Sequence, residues 1–90
     1  MRLSKEKKEK ISEQILSYLY HSFPKQPFTA EIARELARDE EFTKKLLFDL
    51  KERKFITSIN RGKNNIVFTR RLKWTLVPKV YDIYRAKEIL

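Results

Sequence analysis

Five cations, Arg61, Lys63, Arg70, Arg71 and Lys73, and the hydrogen-bonding pair Asn64 and Asn65 crowd the stretch INRGKNNIVFTRRLK, set around Gly62, the only glycine in 90 residues. Arginine and lysine donate hydrogen bonds and carry fixed positive charge, so their chemistry is the holding of phosphate or carboxylate oxygens rather than the making of bonds. Between residues 53 and 81 there are eight basic side chains, with Arg53, Lys54 and Lys79 completing the set, and no acid at all. Residues 1–38 carry +3, residues 39–52 carry −2 and residues 82–90 balance, so most of the net charge of +9 sits in this one segment. Such a segment needs a polyanionic partner or must tolerate its own repulsion. Gly62 supplies the positive φ of a tight turn and removes a side chain where a backbone must come close.

A second group of candidates is Lys44, Lys45, Phe48 and Lys51. At about 100° per residue they fall on the outer side of one helix, with Glu41 and Glu52, while Phe42, Thr43, Leu46, Leu50 and Arg53 fall on the inner side. The lysines suit phosphates, or else form an ordinary solvated face. Phe48 is either core, packed under neighbouring elements, or a contact residue for a thymine methyl or a partner protein.

Other chemistries are poorly supplied. The chain has no cysteine and a single histidine, His21, so no thiol nucleophile and no Cys-based metal site exists, and no metal or cofactor is expected. Neither a Ser, His and Asp constellation nor a glycine-rich phosphate loop is present, and the chain does not read as an enzyme. The opening MRLSKEKKEK is too charged for a secretory signal, and no apolar run approaches the roughly 18 residues that span a bilayer, so a cytoplasmic protein is expected.

These residues need elements to position them. Ser4 is a helix cap, and Ile11, Ile15, Tyr18 and Leu19 follow on one apolar face, predicting a helix over about 4–22. Pro24 and Pro27 close it. Thr29 is expected as the next cap, opening a short helix over about 29–37 with Ile32, Ala33 and Leu36 inward. Asp39 caps a third helix over about 40–53, with Glu40 and Glu41 in its first turn. From residue 55 to 77 the pattern turns to strands: FITSIN, the Gly62 turn, then an arm in which Ile66, Phe68, Leu72, Trp74 and Leu76 share one parity. Arg70 interrupts the alternation as a bulge would. Pro78 suits the first turn of a last helix over about 79–90.

Within this frame TAEIARELARDEEFTKKLLFDLKERKFI resembles the helix-turn-helix of winged-helix DNA-binding proteins, the small prokaryotic, archaeal or viral transcriptional regulators. The likeness covers about residues 11 to 76. It implies a mainly helical α+β domain over residues 1–90, with a three-helix core, a β-hairpin wing and a C-terminal helix. It further implies binding of double-stranded DNA by wing and recognition helix, through Arg61, Lys63, Asn64, Asn65, Arg70, Arg71, Lys73, Lys44, Lys45, Phe48 and Lys51. Homodimerisation through the C-terminal helix is expected, since Tyr81, Ile83, Tyr84, Ile89 and Leu90 offer more apolar surface than one core stripe uses. Two departures stand out: Lys54 replaces the glycine that often ends the recognition helix, and Asp39, Glu40 and Glu41 place carboxylates at its head. A winged-helix module that docks on a protein or RNA is the alternative.

Overall fold

The computed structural model describes residues 4–59 and 72–89. Helix α1 spans Lys5–Ser22, and the Ser4 hydroxyl accepts the Lys7 N–H at 3.2 Å, as a cap residue should. Its buried face carries Ile11, Ser12, Ile15 and Leu19.

Helix α2 spans Thr29–Glu35, and here the expected cap is corrected. Phe28 stands at the N-cap, and a phenyl ring offers no acceptor, so the start of α2 is secured from the other direction: Glu31 accepts the Phe28 N–H at 3.2 Å. That backbone bond, with the Lys25 ammonium 3.2 Å away, holds the Glu31 carboxyl below the usual carboxylate range. Thr29, 1% exposed, instead accepts the indole N–H of Trp74 at 2.8 Å. The helix stops two residues before the expected end because Ala37 turns left-handed at φ 53°, with Arg38 N–H bonded to the Ala33 carbonyl and Ala37 N–H to that of Arg34.

Helix α3 spans Glu40–Glu52, capped by Asp39, whose carboxylate accepts the Phe42 N–H at 3.1 Å. It ends in the same motif as α2: Lys54 adopts φ 64°, and the Phe55 N–H reaches the Leu50 carbonyl at 3.0 Å. Lys54 thus takes the conformation usually given to glycine.

Two strands follow, β1 (Ile56–Ile59) and β2 (Lys73–Leu76), antiparallel, with Ile56 opposite Leu76 and Ser58 opposite Trp74. The expected parity holds where it is described: Leu72, Trp74 and Leu76 are buried, as is Ile56 on the facing strand. The segment before α2 lies along the other side of β2, through a bridge between Phe28 and Lys73 and a bond from the Trp74 N–H to the Pro27 carbonyl. The Arg70 bulge falls among residues 60–71, outside the described residues.

Helix α4 spans Pro78–Ile89, with Pro78 in its first turn, where a missing N–H costs nothing. Val80, Tyr81 and Tyr84 pack from α4 onto the core, and the Tyr20 and Tyr84 rings stack with centroids 5.5 Å apart. The core itself joins Ile11, Ile15 and Leu19 of α1, Ile32 of α2, Leu46, Leu47 and Leu50 of α3, and Ile56, Trp74 and Leu76 of the strands. Full burial of each aliphatic side chain contributes about 1.5–3 kcal/mol. Trp74, fully buried, is the largest of them.

Candidate nucleic-acid interface

The outer face of α3 follows from the placing of its inner face. Thr43, Leu46, Leu47 and Leu50 are buried, which fixes the helix in rotation about its axis, and the Thr43 hydroxyl is satisfied within the helix by donating to the Asp39 carbonyl at 2.8 Å. Lys44, Lys45, Phe48, Asp49, Lys51 and Glu52 are thereby brought together along one shallow open groove. The about 100° spacing anticipates all of these but Asp49. Arg53, expected on the inner side, is corrected: it is the C-cap and turns outward, 3.4 Å from Glu9 and 3.5 Å from Asp49, with its guanidinium over the Phe55 ring.

Each groove residue is held differently. Phe48 is 37% exposed and meets Trp74 edge to face, ring centroids 5.5 Å apart at 88°. It is therefore a prop against the core on one edge and open surface on the other. Lys44 pairs with Glu41 at 3.3 Å, one turn back. Lys45 is exposed. Lys51 reaches across to the hairpin and donates to the Ser58 hydroxyl at 2.8 Å, its ammonium 6.0 Å from the Phe48 ring centre. Ser58 was not among the candidates, though a signal existed: it shares the parity of buried Ile56, an odd place for a hydroxyl unless something polar meets it.

On the hairpin, Lys73 is half-buried, with its ammonium 5.3 Å from the Phe28 ring centre. Arg61, Lys63, Asn64, Asn65, Arg70 and Arg71 lie outside the described residues.

The charge of α3 is nearly balanced: Lys44, Lys45 and Lys51 against Glu40, Glu41, Asp49 and Glu52 leave −1. The helix offers shape and hydrogen-bond donors; it does not supply a strong positive field. Among the described residues there is no cluster of three or more His, Asp or Glu able to hold a metal ion, and no helix is long and apolar enough to cross a membrane.

No protein-family model matches the chain, and no curated protein does. Solved structures do match. S. aureus MepR in complex with DNA superposes with a TM-score of 0.73 at 22% identity, over 93% of this chain and 66% of that one. An apo mutant of Lactococcus lactis ZitR gives 0.67 at 25% identity, over 93% and 58%. MepR bound to ethidium bromide gives 0.68 at 20% identity, over 99% and 57%. This chain therefore spans between 57% and 66% of the length of those three. Element order, hairpin and superposition together establish the winged helix-turn-helix fold.

Proposed function

We propose that this winged-helix chain binds double-stranded DNA and acts as a transcriptional regulator, α3 lying along a groove of the duplex and the basic hairpin holding its backbone. The observation that carries the reading is the α3 groove, where three lysines surround an exposed phenyl ring directly beside the first strand of a hairpin whose second half is rich in cations. The fold it shares with MepR, a protein solved on DNA, supports it. Phe48 offers an apolar edge suited to a thymine methyl.

The net charge of α3 supports a reading in which the hairpin carries the larger electrostatic share, through Arg61, Lys63, Arg70, Arg71 and Lys73. Phosphate contacts position a protein without reading sequence, so base discrimination falls to Phe48 and to Asn64 and Asn65 in the minor groove. The same reading includes a cytoplasmic homodimer joined through α4, where Ile83 remains 48% exposed on a helix already packed on its other side. Paired half-sites would follow from such symmetry.

Fluorescence anisotropy on a labelled duplex over a range of salt tests the reading. Five hairpin contacts give a log–log slope of about −4 to −5, and Arg61→Ala with Lys63→Ala makes it shallower by about 2. The pair Lys44→Ala and Lys45→Ala has the smaller effect, because Glu41 already offsets Lys44. A silent hairpin pair beside a damaging helix pair would overturn the hairpin-led mechanism. Absence of any duplex binding, with retention of a protein or RNA instead, would favour the interaction-module alternative. Selection of bound sites from random duplexes measures specificity, and a palindromic product supports the dimer.

A further inference from the structure

On the flank of the molecule formed by α1 and the α2–α3 turn, a second cleft is lined by Lys7, Lys10, Ile11, Gln14 and Arg38. It is walled by three cations over a buried isoleucine, and it shares no residue with the α3 groove. None of the three cations lies within 4.0 Å of a carboxylate among the described residues, whereas Lys25, Lys44 and Arg53, elsewhere on the protein, are paired. Glu9, the nearest acid in sequence to Lys10, is turned to Arg53. Arg38 is held at this place by the backbone: Ala37 accepts a left-handed conformation, and the Arg38 N–H is locked to the Ala33 carbonyl at 2.9 Å. A guanidinium with a fixed root and two ammonium groups beside it match a phosphate, with Gln14 adding an amide donor.

We propose that this cleft is a second phosphate-binding site, which takes a backbone phosphate of the same duplex that α3 and the hairpin engage. The inference rests on the DNA-binding reading and extends it to an element, α1, to which that reading assigns no contact. It also accounts for the acidic head of α3. Asp39, Glu40 and Glu41 repel phosphates where the helix begins, and Arg38, the residue immediately before them, together with Lys7 and Lys10 restores attraction at that end of the helix. The duplex is then held from both sides of α3, by the hairpin and by this cleft.

The test compares the intact chain with a Lys7→Ala, Lys10→Ala, Arg38→Ala triple variant and a Lys7→Arg, Lys10→Arg, Arg38→Lys variant on one labelled duplex. The alanine variant is expected to bind more weakly, by the same factor on unrelated sequences, with a salt slope shallower by about 1, the loss of one phosphate contact, while the charge-conserving variant keeps the intact slope. All three side chains are exposed, and thermal melting checks that each variant is folded. Duplex binding with an unchanged slope in the alanine variant overturns the cleft and leaves the DNA-binding reading standing. Loss of duplex binding in the intact chain overturns both. Inorganic pyrophosphate that saturates the intact chain at micromolar concentration, without competing with the duplex, would reassign the cleft to a free phosphorylated molecule and overturn the backbone assignment.

Discussion

Two side chains show how far a single residue can matter here. The Trp74 side chain is fully buried, and so is the bond its indole N–H donates to Thr29. Thr29→Val keeps the shape and removes the acceptor, so it should cost about 1–3 kcal/mol in urea unfolding, the penalty of stranding a buried donor. Thr29→Ser, which keeps the hydroxyl, should recover most of that. Equal stability of the valine variant and the parent would show that the bond contributes nothing. Phe48 poses the opposite case. A fully buried Phe cut to Ala costs about 3–5 kcal/mol, but an exposed edge resting on one ring loses mainly that pair, about 0.5–1.5 kcal/mol beyond the area it covers. Phe48→Ala should therefore melt only slightly below the parent and bind a duplex markedly more weakly. A core-sized loss of stability would make Phe48 a packing residue and remove it from the interface.

At the scale of elements, both α2 and α3 end on residues that resist the conformation required of them. Ala37 and Lys54 sit at positive φ, where an L-residue gives up about 1–2 kcal/mol. Glycine removes that strain but carries about 0.5–1 kcal/mol more entropy loss on folding. Ala37→Gly and Lys54→Gly should each stabilise by up to about 1 kcal/mol, seen as a rise in Tm of a few degrees, and a fall in Tm for either would contradict the strain. The two helix ends also mark what can be read from residue order. Ser4 and Asp39 cap as expected because a cap is settled within three residues. Thr29 does not, because its hydroxyl is claimed by Trp74 from 45 residues away. The early end of α2 escaped notice for a related reason: its signal is normally a glycine, and Ala37 hides it. The outer face of α3 was legible, since helical spacing alone sorts Lys45, Phe48 and Lys51 from Leu46, Leu47 and Leu50. The roles of Arg53 and Ser58 were not, because each is set by a partner on another element.

Across the whole molecule, the two outer helices are joined by the Tyr20 hydroxyl, which donates to the Glu88 carboxylate 68 positions later. That carboxylate, with lesser help from burial, pushes the Tyr20 phenol up to about 12 from its usual 10.0. A phenol raised on folding contributes stability that is whole below pH 10 and is lost as pH climbs through about 12. Burial also raises the Tyr84 phenol, so tyrosinate absorbance should show late-titrating amplitude, of which the Tyr20 part disappears in Tyr20→Phe and titrates earlier in Glu88→Gln; an unchanged profile in Glu88→Gln would break the link between α4 and α1. The wing is joined to the core by a smaller clasp, the Lys51 ammonium on Ser58. An ammonium has three N–H bonds, and Ser58 occupies one of them, leaving two to face outward. A free lysine on a helix surface sweeps through many rotamers and loses up to about 2 kcal/mol of that freedom when it is finally pinned. The Ser58 bond already draws Lys51 toward one arrangement, so an incoming anion has less of that freedom left to remove.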